Sequence, residues 1–343
     1  MNDAISYQTY ADGLEDFWFR RQAAPRFGRD FRLMGRAVRV VSNEVGVLTA
    51  VNHTLPLYTT ATPTADPPCT IQLVVQPAAA APGPVPDDLM QRLTYTGDAD
   101  WLLIQLGQWG QAHVDLGKRR ATAVLSPELA QRPDLVSQCL LHTILLNFLI
   151  ASGLGLLHAS CLVQNNKALL LLAPHNTGKS TTALRLALAD HALLSDSMVF
   201  VDSAAGRVQL LGFPVGKIKL RRDVLGQFPA LRPFLAQEVV RQETKYSLDL
   251  RQVGAAQVWQ TAVFPTHTTL CLMTRHDHPE TTLRLVEETA VWEAILQNSL
   301  YYDSEAVWSK NLAQLRPLIN QAQTYHLTIG TDEAQLLATL NTL

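Results

Sequence analysis

Charge is scarce in this chain. Asp, Glu, Lys and Arg make up 17% of its 343 residues, against about a quarter in an ordinary soluble domain. Acids and bases nearly balance, 30 against 28. That excludes the broad basic surface which nucleic acid or an anionic membrane demands. Cysteine is also rare. Cys69, Cys139, Cys161 and Cys271 have no metal-ligand spacing and read as small buried hydrophobes of a reducing compartment. The N-terminus, MNDAISYQTYADGLEDFWFRR, is polar and acidic, unlike a secretory signal. The longest apolar run, Leu140 to Leu157, contains His142 and Asn147 and ends in a Gly-rich turn. It is expected to be a core helix rather than a membrane span. No repeat period is apparent. A cytoplasmic protein with no nucleic-acid or membrane partner is the expectation, long enough for one large domain or two ordinary ones.

What the chain does have is a stretch of recognisable chemistry between Lys167 and Asp202. Ala168 to Leu172 is apolar and the length of a buried strand. The loop Ala173-Pro174-His175-Asn176-Thr177-Gly178-Lys179-Ser180 follows, and Thr181 to Ala189 favours a helix. Strand, loop and helix in that order are the setting of a P-loop, and G-x-x-x-x-G-K-[ST] is met at every fixed position but the first, where Ala173 stands. Such a loop wraps backbone N–H groups around phosphate oxygens, and the helix N-terminus adds partial positive charge. His175, Asn176, Thr177, Gly178, Lys179, Ser180 and Thr181 are therefore the expected nucleotide-binding residues. Lys179 would reach the β- and γ-phosphates, and the Ser180 hydroxyl would ligate Mg²⁺. Asn176 tolerates the left-handed backbone that glycine often supplies there. Past the helix, Ala192 to Ser195 is a short apolar strand ending at Asp196, where a second Mg²⁺ anchor is expected.

The first 125 residues promise a β-rich region. Strand-like runs are expected at Phe31–Val41, Val45–Val51, Thr70–Val75, Trp101–Leu106, Gln111–Leu116 and Ala121–Leu125, forming a small antiparallel sheet. The aromatic cluster Phe17-Trp18-Phe19 precedes them, and Gln76 to Asp88 reads as an exposed linker. From 126 to 343 the pattern is mixed α and β. A long helix is expected from Asp134 to about Ser152, then a strand Leu156–Val163 carrying His158 and a hairpin through Asn165-Asn166. After the P-loop helix come a hairpin through Ala204-Ala205-Gly206, the basic Lys217, Lys219, Arg221 and Arg222, and a helix over Val224–Val240. A loop carrying Lys245 follows. Strands Thr269–Met273 and Thr282–Val286 are expected to be joined by His276 to Pro279. Helices at Thr289–Leu300 and Glu305–Gln323, a strand Tyr325–Ile329 and a last helix Asp332–Leu340 complete the chain. His276, Asp277 and His278 are too close together in one turn to converge on a metal.

Several motifs in this order resemble the HPr kinase/phosphorylase family and its broader HPr-kinase-like relatives, which share a fold with ATP-dependent phosphoenolpyruvate carboxykinase. Leu157-His158-Ala159 is similar to the family's Leu-His-Ala motif before the P-loop. Gly212-Phe213-Pro214 followed by Lys219-Leu220-Arg221 looks like its G-x-P…L-R stretch, and Tyr325-His326-Leu327 before a terminal helix is also similar. The resemblance covers about residues 125 to 343. It implies an α/β nucleotide-binding domain with a mixed sheet over 126–343, preceded by the β-rich region 1–125. It further implies ATP and Mg²⁺ as cofactors, a hydroxyl of a protein or peptide as acceptor, and often a homo-oligomer. Asp196 would accept the hydroxyl proton or hold the metal, with His158 and Lys179 beside the γ-phosphate. Lys219 and Arg221 are candidates to contact the acceptor. Two departures stand out: Asp196-Ser197 replaces the family's Asp-Asp pair, and the Arg-Gly-Leu-Gly-type signature of true HPr kinases is missing. They motivate a second reading, an ATP-binding partner without transfer activity, for example in peptide maturation. A transport ATPase is disfavoured, because no Leu-Ser-Gly-Gly-Gln segment is present.

Overall fold

The structure, a computed structural model, describes residues 24–55, 69–76, 83–174, 176–203, 206–240, 243–253, 259–298 and 305–343. The Phe17-Trp18-Phe19 cluster, His175 and the Ala204-Ala205 turn lie outside the described residues. The chain divides into two compact units, the first running to Ser152 and the second from Gly153 onward, with Val240 grouped with the first. The division falls after the long helix, not at the 125/126 boundary expected from composition.

The first unit is built on one seven-stranded sheet. Its strands are β1 (Phe27–Leu33), β2 (Arg36–Ser42), β3 (Cys69–Val75), β4 (Thr94–Asp98), β5 (Trp101–Gln105), β6 (Gly110–Asp115) and β7 (Arg120–Leu125). They run in the order β1-β2-β3-β7-β6-β5-β4. The sheet is mixed, because β2 pairs parallel with β3 and β3 parallel with β7. That corrects the antiparallel expectation. The run Phe31–Val41 is a hairpin rather than one strand. It turns at Met34 and Gly35, both left-handed at φ 48° and 78°. Val45–Val51 is not a strand either. Gly46–Leu48 is a 3₁₀ turn leading into helix α1 (Thr49–Thr54). Val47, Leu48, Ala50 and Val51 are buried at spacings that suit a helix as well as a short apolar strand. Helix α2 (Pro133–Ala151) contains a π-type turn at Ser137–Leu141. By length and composition alone it could cross a membrane, yet Leu135, Val136, Cys139, Leu140, Ile144, Leu145, Phe148 and Leu149 are buried within the protein.

The second unit stacks layers on a six-stranded sheet. Its strands and helices, in chain order, are β8 (Gly155–Leu157), β9 (Ser160–Gln164), β10 (Lys167–Leu172), α3 (Lys179–Leu188), β11 (Ala192–Ser195), β12 (Val199–Asp202), β13 (Gln209–Gly212), β14 (Lys217–Arg221), β15 (Leu235–Val240), β16 (Glu243–Asp249), β17 (Ala262–Val263), β18 (His267–Arg275), β19 (Thr282–Leu285), α4 (Glu288–Asn298), α5 (Glu305–Gln321), β20 (Gln323–Ile329) and α6 (Glu333–Leu340). The central sheet has the order β11-β9-β10-β18-β20-β19, with a four-stranded sheet β17-β13-β12-β8 and a three-stranded sheet β14-β16-β15. Alternation along β10 explains its run of leucines. Leu169 and Leu171 enter a core shared with α3, β14, β16 and α6. Ala168, Leu170 and Leu172 enter another shared with β12, α4 and α5. Both faces are covered, so an unbroken apolar strand is what the position requires, each buried leucine contributing on the order of 2 kcal/mol.

Two expectations fail here for identifiable reasons. Val224–Val240 is two 3₁₀ turns and strand β15, because Gly226, Pro229 and Pro233 interrupt any helix. Lys245 lies on β16, opposite Arg221, rather than in a loop. β18 and β19 are joined through His276–Pro279 as expected, with β20 lying between them in the sheet.

Candidate functional site

Two strand pairs change sheets side by side, and the site forms where they cross. The expected strand Leu156–Val163 breaks at His158-Ala159. β8 before the break belongs to the four-stranded sheet and β9 after it to the central sheet. Residues 196–198 do the same between β11 and β12. β11 pairs with β9 and β12 with β8, so the two breaks run together. A register shift between Leu193 and Ser195 brings the chain out of the central sheet just before Asp196.

Asp196 is buried, 6% exposed, and held from several sides. Ser160 Oγ lies 2.8 Å from both its carbonyl O and its Oδ1, one hydroxyl proton shared between two acceptors. The Ser180 hydroxyl also bonds the carboxylate. The backbone N–H of Lys219 donates to Oδ2 at 3.5 Å. Burial still dominates and pushes the carboxyl above the usual Asp range, opposed by the Lys179 charge and these hydrogen bonds.

The loop from Ala173 to Gly178 carries the site's other half. Ala173 is buried in the core beside α3, and its φ is not positive. A methyl group is therefore accommodated where the motif usually has glycine. Asn176 adopts φ 69°, a left-handed conformation that Asn accepts at low cost. Thr177 Oγ1 donates to the Pro174 carbonyl at 2.9 Å, closing the loop on itself. Gly178 takes φ 100° as the N-cap of α3, and a Cβ there would meet nothing within 4 Å. No side chain caps this helix, so its first N–H groups face the loop. Ser180 and Thr181 are half-buried in the first turn.

Lys179 is the anomaly. Its Nζ is covered, yet has no hydrogen-bond partner. Burial pulls the ammonium down to about 8 while the charge of Asp196 pulls it back up. The two groups sense each other without closing a hydrogen bond. A buried unpaired charge is costly, and an anion received by the loop would satisfy it.

The structure thus brings together Lys179, Ser180 and Asp196 and adds Ser160, which sequence reasoning missed. The signal was present: a polar residue inside the apolar run LLHASCLV, two positions after His158 and on the same side of an extended chain. His158 is half-buried in the break between β8 and β9. Lys219 reaches Asp196 through its backbone, not its side chain, and Arg221 pairs with Asp223 at 3.4 Å. No cluster of three or more His, Cys, Asp or Glu suited to a metal occurs among the described residues.

No family model matches the chain, and no curated protein matches it in sequence. Among solved structures, the HPr(Ser) kinase/phosphatase from Coxiella burnetii aligns at 10% identity with a TM-score of 0.29, over 55% of this chain and 93% of that one. A likeness that loose assigns neither a family nor a residue.

Proposed function

We propose that the chain is a cytoplasmic, HPr-kinase-like, ATP-dependent kinase that moves a γ-phosphoryl group to a hydroxyl, a Ser of a protein or peptide. One observation carries the reading: a covered lysine ammonium without a partner, at an uncapped helix N-terminus, beside a buried carboxylate it does not bond. The residues fit a nucleotide and Mg²⁺. The orphaned Nζ and the open cradle at Gly178 suit phosphate oxygens, and Ser180 and Asp196 are the one or two hard oxygen ligands that Mg²⁺ takes from protein. When bound, Mg-ATP supplies the transferable phosphoryl group and neutralises its charge.

The chain's own residues position and neutralise. Gly178 lets backbone N–H groups approach the phosphates, and Lys179 Nζ donates to their oxygens. Ser160 and the Lys219 N–H fix the Asp196 carboxylate, so that it faces the site in one orientation. Asp196 accepts the proton of the attacking hydroxyl. Because Ser197 stands where a second acid would share the work, His158 takes the proton whenever Asp196 is committed to the metal. Incubation with radiolabelled Mg-ATP and a library of Ser-containing peptides tests this. Label should appear on peptide with the native chain and vanish with Asp196→Asn. Full transfer by that variant would remove Asp196 from the mechanism.

One observation favours the second reading. Asp196 is a lone carboxylate, with three of its roughly four acceptor sites already used by Ser160, Ser180 and Lys219. An ATP-binding partner without transfer activity would bind Mg-ATP and form no product.

A further inference from the structure

A cavity lies past the end of β14, the strand whose Lys219 N–H reaches Asp196. The two turns that follow β14, Arg222–Gln227 and Pro229–Phe234, and strands β15 and β16 line this open cavity of about 510 Å³. Leu225, Leu235 and Tyr246 give it an apolar floor, and Arg222, Arg232 and Gln237 supply its polar groups. No carboxylate is among the lining residues. Arg221 next door pairs with Asp223, whereas no salt bridge joins Arg222 or Arg232 to a carboxylate among the described residues. Two guanidiniums around one concavity repel each other and focus positive potential into it. Their planar forks match a carboxylate in two-pronged geometry.

Position decides what the anion belongs to. The Lys219 N–H holds Asp196, and Arg222 follows three residues later on the same strand and turn. At the rise of an extended strand, that separation is about 10 Å. An extended peptide spans it with about three residues. We propose that this cavity binds an acidic side chain of the peptide acceptor, about three residues from the hydroxyl that is phosphorylated. This rests on the kinase reading for its position and on the cavity's own charge for its chemistry.

The test uses the full chain and two fluorescein-labelled, Ser-centred nonapeptides. One carries Asp three residues before and three after the Ser, and the other carries Asn at both places. By fluorescence anisotropy the acidic peptide should bind about tenfold more tightly, with the preference shrinking as salt rises. The Arg222→Gln/Arg232→Gln variant should lose the preference while binding Mg-ATP as the native chain does. Equal affinity for the two peptides, no binding of either, or a preference that survives in the variant overturns the proposal. Its failure is separable from that of the kinase reading. If the native chain binds no Mg-ATP but keeps the acidic preference, the kinase reading falls and the carboxylate site stands. If it binds Mg-ATP and ignores the Asp residues, only the site falls.

Discussion

The two units differ in which polar groups they bury whole. In the first, the buried polar side chains among the described residues are the hydroxyls Ser42, Thr54, Ser126 and Ser137. All four are visibly employed: Thr54 and Ser137 bond each other at 2.6 Å, Ser126 caps the turn at Leu129, and Ser42 Oγ accepts from the Glu44 N–H at 3.1 Å. In the second, a carboxylate is buried at Asp196 beside a covered ammonium at Lys179, and the two do not bond each other. The first unit also covers one charged atom without a hydrogen-bond partner, Glu128 Oε2, but buries no acid or base as a whole residue among the described ones. Buried charge costs several kcal/mol per ion after relaxation. The second unit tolerates that cost where two strand pairs change sheets, which is where a function has to be sought.

The contrast can be broken by substitution. Ser160→Ala should have the largest effect on stability, a loss of about 1–3 kcal/mol in a denaturant titration, because it leaves a buried carboxylate oxygen unsatisfied. It should also move the acid limb of transfer to higher pH, since the Ser160 hydrogen bond favours the ionised Asp196. Ser160→Thr should restore both. An unchanged acid limb in the Ala variant would reduce Ser160 to packing.

Lys179→Met should act in the other direction and stabilise the unliganded chain by about 1–2 kcal/mol at pH 7, because it removes a desolvated charge without breaking a bond. A lower melting temperature would mean that the ammonium has a structural partner. The pH dependence follows from the same group. Its ordinary value of 10.5 falls to about 8 in the folded chain. Between those values the unfolded state holds the extra proton, so stability of the unliganded chain rises with pH across that window. Phosphate affinity should fall over the same range as the ammonium is lost. Titrations at pH 7 and pH 9 check it, and equal affinities at both would contradict the assignment.

In the first unit, Thr54→Val should cost about 1 kcal/mol, and adding Ser137→Ala should recover much of that by removing the stranded partner. Neither should change nucleotide binding. The smallest effect is expected for Lys219→Ala. Its backbone N–H, which holds Asp196, is retained, so Mg-ATP affinity should stay within about twofold.

How legible this was depended on whether a feature left a local mark. The Asn165-Asn166 hairpin did. Both residues are left-handed, at φ 51° and 59°, as a two-residue turn between antiparallel strands requires. The strand, loop and helix around Lys179 are marked by a leucine run, a left-handed glycine and a helix-forming segment. The change of sheet at His158-Ala159 left none, because LLHASCLV is apolar on both sides of the break and only pairing partners reveal it. β16 was missed for a similar reason. Its own burial does not alternate, Ser247 and Leu248 both being buried, and only the pairing shows it as a strand, Ile218 opposite Leu248 and Leu220 opposite Tyr246. The parallel pairing of β2, β3 and β7 depends on contacts far apart in the chain, which no local pattern encodes.

The central claim is that Lys179 is kept covered and unpaired to receive a phosphate. Isothermal calorimetry of Mg-ATP against the native chain and Lys179→Met at pH 7 tests it most directly. One saturable site in the native chain, with affinity reduced at least about a hundredfold in the variant, is the predicted result. No heat in the native chain, or the same isotherm in both, would contradict it.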